Sequence, residues 1–133
     1  MKYYLRAITN AIMDVRIQAF GMTEDEAMAL MIGGGFQEQH EAQAKWLRAQ
    51  LTSTQLVTYY LGSVEMWDLE IEARKRAARA AGAPESVVPE QRIAGGLGET
   101  PGFDQRRHLE SVIAYGTPPI KWVGKILAQE SAT

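Results

Sequence analysis

Apolar positions recur along this chain with a helical period, and no segment shows the strict alternation of a strand. In the first segment Tyr4, Ile8, Ala11, Ile12, Val15 and Ala19 fall three and four apart, which predicts a helix over about 2–20 with that stripe inward. Gly21 stops it. "TEDE" at 23–26 forms a capping box, in which the Thr23 hydroxyl accepts from the Glu26 N–H while the Glu26 carboxylate reaches back. Such a cap contributes roughly 1 kcal/mol. It opens a short helix over about 24–32, which "GGG" at 33–35 ends. A third helix is expected from near Phe36 to about Leu51.

"TSTQ" at 52–55 has the letters of a second capping box and is expected to open one long central helix, about 53–81. Its first half, "LVTYYLGSVEMW", is apolar on most sides and so is expected to be buried. Its second half, "EARKRAARAA", is expected to emerge into solvent. Gly82 and Pro84 end it. The stretch 83–102 holds three prolines and four glycines, the composition of a lid or a disordered insertion. "FDQRRHLESVIAY" predicts a helix with Phe103, Leu109, Val112 and Ile113 inward. Gly116 closes it, and Thr117, Pro118 and Pro119 open a last helix to about 129. The pattern is therefore all-α: about six helices in a bundle, in one domain over 1–133.

Composition narrows the function little. The 133 residues are 46% apolar and 23% charged, ordinary for a folded domain. A formal charge of −2 offers no general attraction to nucleic acid or anionic lipid, so neither is expected as a partner. No cysteine is present, which removes thiolate metal and redox chemistry and fits the cytoplasm. Lys2, Arg6, Asp14 and Arg16 interrupt the N-terminal segment, so it reads as a folded helix rather than a signal peptide or membrane span.

"HEAQAKW" at 40–46 opens like a zinc-hydrolase signature, but the position four after His40 is Ala44, which cannot ligate. A solvated helix face carrying Gln37, Glu38, Gln39, His40 and Glu41 is the better reading, with no metal ligand assigned. The run "RKRAARA" reads as the basic end of a helix rather than a nucleic-acid patch. The glycine clusters follow no strand and read as turns. In "QLVTYYLGS" the Tyr59 and Tyr60 hydroxyls each need a partner if buried, and Gln55 lies one turn before Tyr59.

Taken in order, "LRAITNAIMDVRIQAFGMTEDEAMALM", "GGFQEQHEAQAKWLRAQLTSTQLVTYYLG" and "AYGTPPIKWVGKIL" resemble the C-terminal part of the bacterial "domain of unknown function 885" family. Lys45, Trp46 and Arg48 carry its spacing. The resemblance implies a zincin-like metallopeptidase fold whose zinc-binding region lies upstream of the matched part. It further implies that Tyr59 is a catalytic oxyanion or substrate donor and that Arg6, Gln55 and Tyr60 bind substrate. Zinc would come only from a partner chain. Asn10 and Gln18 replace an Arg and a His of the family pattern, and its "F-H-D" reads His108, Leu109, Glu110. With those polar groups replaced, the leading expectation is a noncatalytic domain acting as a homo-oligomer or with a companion chain. Two alternatives remain: a split-enzyme subunit supplying Tyr59, and a small-molecule binder.

Overall fold

The structure, a computed structural model, describes residues 2–89 and 98–130. The described residues form α1 (Lys2–Phe20), α2 (Glu24–Met28), a π-helical turn (Ala29–Gly34) and α3 (Gln39–Leu51). After these come α4 (Val57–Ala80), a 3₁₀ turn (Glu85–Val87), α5 (Gln105–Ala114) and α6 (Ile120–Glu130). The fold is all-α as expected, with no strand among the described residues. The chain divides into two compact units, 1–63 and 64–133.

In the first unit the local signals hold. Thr23 Oγ1 accepts from the Glu26 N–H at 3.4 Å and the Glu26 carboxylate accepts from the Thr23 N–H at 2.9 Å. Gly21 takes φ +65°, and the Met22 N–H reaches back to the Arg16 carbonyl at 3.2 Å, closing α1 through a conformation that glycine adopts without Cβ strain. The core is built of Met13, Met22, Ala27, Met31, Ala42, Ala49 and Leu56. Flexible thioethers fill the irregular space left between helices that approach closely at alanines.

The inward face of α1 differs from the expected stripe. Thr9, Ala11, Met13 and Asp14 are buried, while Ile12, Val15 and Ala19 are exposed. The apolar pattern misplaced the face because two polar residues on the true inner face find partners inside. Asp14, only 1% exposed, accepts from the backbone N–H of Thr54 at 3.2 Å and of Val57 at 3.0 Å. Val57 is the first residue of α4, so a carboxylate from another helix caps it where the "TSTQ" box was expected. The Thr52 hydroxyl instead donates to the Arg48 carbonyl at 2.9 Å at the end of α3, and Thr54 sits at φ +61°.

Along α4, which begins in the first unit and continues through the second, burial reverses the expectation. Its buried residues are Leu69, Ile71, Arg74 and Ala78, whereas Tyr59 and Leu61 near its start are exposed. Arg74, in the run read as a wet helix end, is 3% exposed and fully engaged. Its Nε and Nη2 both reach Glu70 Oε1 at 2.8 Å, and Nη1 donates to the Gly98 carbonyl at 2.8 Å and to Thr100 Oγ1 at 3.0 Å. The guanidinium also lies 4.2 Å from the Phe103 ring centroid. Val88 packs with Ile71 and Ala78, so both described ends of the 83–102 stretch are tied down. The lid or insertion is expected over all of 83–102, and its middle, 90–97, lies outside the described residues.

Gly82 ends α4 at φ +72°, with the Ala83 N–H reaching the Ala78 carbonyl at 2.9 Å. Asp104 caps α5 by accepting from the Arg107 N–H at 3.0 Å. The buried residue of α5 is His108, while Leu109 and Ile113, expected inward, are exposed. Gly116 closes α5 at φ +73°, and the Pro119 carbonyl accepts from Trp122 N–H at 2.8 Å to start α6.

Candidate functional site

The polar interior of the first unit is a closed circuit between α1 and α3. Thr9 Oγ1 donates to the Leu5 carbonyl of its own helix (3.0 Å), which leaves its lone pairs free to accept from Gln37 Nε2 at 3.0 Å. Gln37 Oε1 accepts from Lys45 Nζ at 2.5 Å, and Lys45 lies 3.1 Å from Glu41 Oε1, one turn away on α3. Glu41 Oε2 closes the ring by accepting from Arg6 Nη2 at 2.7 Å. The hydrogen bond from Lys45 holds the Glu41 carboxyl below its ordinary range, with Arg6 and His40 adding smaller effects in the same direction. Gln37 and Glu41 are therefore not a solvated helix face. Gln37 is 4% exposed and Glu41 joins two cations.

The third glycine of "GGG" is required by this circuit. A Cβ on Gly35 would sit 2.8 Å from the Met31 carbonyl oxygen, 2.9 Å from Thr9 Oγ1 and 3.1 Å from Gln37 Nε2. Close approach lets the chain lay Gln37 against Thr9, and the next residue, Phe36, is turned outward at φ +51°. Two buried atoms have no partner among the described residues here: Arg6 Nε and Asn10 Oδ1, one turn apart on α1. Asn10 stands where the resembled pattern carries Arg.

Of the four residues expected to bind or act on substrate, the structure draws only Arg6 into this circuit. Tyr60 faces Tyr4, with ring centroids 6.3 Å apart. The Gln55 side-chain oxygen accepts from Arg48 Nη2 at 2.9 Å and does not serve Tyr59. Tyr59 is 61% exposed, and its hydroxyl has no hydrogen-bond partner among the described residues. The premise of a tyrosine in a dry helix therefore fails for Tyr59. Gln18, in place of a family His, donates from Nε2 to the Ala49 carbonyl at 3.0 Å and staples α1 to α3. Thr9 and Gln37 carried no sequence signal as site residues. The Glu41/Lys45 pair could have been read from its spacing of four.

Among the described residues no three His, Cys, Asp or Glu side chains gather to hold a metal, and no helix is long and apolar enough to cross a membrane. His40 is exposed on α3.

Residues 1–124 match the family described as "Bacterial protein of unknown function (DUF885)". A solved protein of Shewanella oneidensis, described as "a putative lipoprotein of unknown function", is similar to this chain at 32% identity and a TM-score of 0.71. The similarity covers 96% of this chain and 19% of that one, so the chain spans about a fifth of its solved relative's length. No curated protein matches.

Proposed function

We propose that this chain, which belongs to the bacterial DUF885 family, is a noncatalytic helical module that works by association with further polypeptide. The observation that carries this reading is the exposure of large apolar side chains on α1 and α3. Ile12, Val15 and Phe20 on α1, and Leu47 and Leu51 on α3, are all exposed, and the Gln18–Ala49 staple draws the two helices together. Water contact of this kind is unfavourable by about 25 cal/mol per Å² of apolar area, and such faces mark association surfaces. The length relation fits this reading: the part of the Shewanella protein that matches this chain is about a fifth of that protein.

A second copy or a companion chain can supply that covering polypeptide. Light scattering at micromolar concentration is expected to give a mass above the 14.8 kDa of one chain, or above it once the companion is added. A strictly monomeric chain that captures no companion encoded beside it overturns the reading.

A second reading rests on Tyr59. An exposed phenol with no internal partner is placed to donate to something outside the chain. In a zincin-like complex it would donate a hydrogen bond to the oxyanion or substrate at a zinc site held by the companion, with Arg6 a further substrate contact. The test is to mix the chain with a companion bearing an H-E zinc helix. Zinc-dependent peptidase activity that falls with Tyr59→Phe supports a split enzyme, and no activity on mixing sinks it. Placement in the cytoplasm rests on the lack of cysteine, against a relative described as a lipoprotein. Fractionation that finds the chain in membranes would reject it.

A further inference from the structure

A groove of about 700 Å³ lies wholly within the second unit, between the last turns of α4, the turn at 102–104, α5 and the end of α6. Its size is that of pockets which take a small organic molecule. One wall is a stripe of alanines on α4, Ala73, Ala77 and Ala80, spaced four and three apart so that all lie on one helical face. Gly102 seals the end of that wall. Its φ is +74°, and a Cβ there would meet the Ala77 carbonyl oxygen at 3.0 Å.

The charged groups around the groove are not balanced. Asp104 is occupied in capping α5, Glu130 accepts from the Tyr115 hydroxyl, and Arg79 is paired with Glu85. Arg76 and Arg107 line the same groove with no ion pair among the described residues. His108 lines it too. It is 8% exposed, its Nε2 is buried without a partner, and burial pushes its pKa down, so the ring is a neutral, unsatisfied group in the wall. Two unpaired guanidinium groups, an unsatisfied imidazole and an apolar stripe together describe the complement of an amphiphilic anion.

We propose that this groove binds a small organic anion, its carboxylate or phosphate end against Arg76 and Arg107 and its apolar body along the Ala73, Ala77 and Ala80 stripe. The site is separate from the α1/α3 face and does not rest on the association reading. No group is transferred in this proposal; it is a binding site for a class of ligand set by charge and shape.

The chain has only two histidines, His40 and His108, so histidine-selective NMR of the full chain carries its own control. Octanoate and octyl phosphate, kept below micelle formation, are the probes, with octanol and inorganic phosphate as the uncharged and tailless comparisons. A saturable shift of the His108 ring signals with either anion, and none at His40, is the expected result, and which anion binds fixes the headgroup. Octanol and inorganic phosphate should bind at least tenfold more weakly. Arg76→Ala and Arg107→Ala should each weaken binding by tenfold or more. Arg106→Ala, which removes an exposed pair with Glu110 outside the groove, should leave it unchanged. No saturable shift with either anion, an equal response to octanol, or arginine variants that bind like the parent chain would overturn the proposal. Folding of each variant is checked by its helical circular dichroism, and if one alanine variant unfolds, Arg76→Gln and Arg107→Gln replace it.

Discussion

Each unit of this chain pins a loop with one buried charge, and the two charges have opposite sign. In the first unit Asp14 accepts two backbone N–H groups of the 54–57 segment. In the second, Arg74 donates to a backbone carbonyl and a hydroxyl of the 98–100 segment while holding Glu70. The difference is one of reciprocity. Asp14 is satisfied by backbone donors at a helix start, so its removal leaves neutral N–H groups behind. Arg74 has a carboxylate partner, so its removal leaves a charge behind. That asymmetry makes loss of Arg74 more costly than loss of Asp14.

Arg74→Ala should be the most damaging, at about 3–5 kcal/mol, because it strands Glu70 in a side-chain environment only 16% exposed and cuts the 98–103 turn loose. Thermal or urea unfolding measures it. A loss under about 1 kcal/mol would show that the pair is a spectator. Asp14→Ala should follow at about 2–4 kcal/mol, from two partly buried N–H groups left without an acceptor. Asp14→Asn, which keeps an oxygen, should lose less. If the two Asp14 variants were equal, the cap would not be what Asp14 provides.

Gly35→Ala should lose about 1–3 kcal/mol, since the new methyl meets a backbone oxygen and the Thr9 hydroxyl at under 3 Å. Gly33→Ala, with open space around it, is the control and should stay near neutral.

The smallest effect is in acid, and it separates the units. Burial lowers the His108 pKa, opposed by Glu70 and aided by Arg76 and Arg74. The unfolded chain therefore takes up that proton first, and this contribution fades as pH falls below about 6.5. Glu41 is also held low, by Lys45, and its contribution persists above the ordinary carboxylate range and fades only as pH drops below about 4. His108→Gln should flatten the melting temperature between pH 6.5 and 5, and Glu41→Gln should matter less as the pH drops below that lower window. The opposite order would mean that other groups dominate the acid response.

Sequence reading succeeded where the deciding partners are three to six residues apart. The Thr23/Glu26 box and the glycine stops at Gly21, Gly82 and Gly116 are all closed by local bonds. It failed where a polar residue is buried by a partner far along the chain. Thr9 meets Gln37 across 28 positions, and Asp14 meets Val57 across 43, so an inward stripe drawn through apolar residues leaves both out. Arg74 was placed in a wet helix end for the same reason, and the inward face of α5 was drawn through its leucine and isoleucine rather than His108. The family was legible because the order of its motifs survives in local letters. The pairing of Arg6 with Glu41 was not, because only the packing of α1 on α3 creates it.

The units also differ in what they leave open: exposed apolar side chains on α1 and α3 in the first, a charged groove in the second. The proposed association uses the first of these, and hydrogen exchange across a concentration series tests it most directly. Protection of the amides in 12–20 and 47–51 is expected to rise with concentration, or on adding the companion chain, while that in 105–114 stays constant. No change at α1 and α3, or an equal rise in α5, would contradict association through this face.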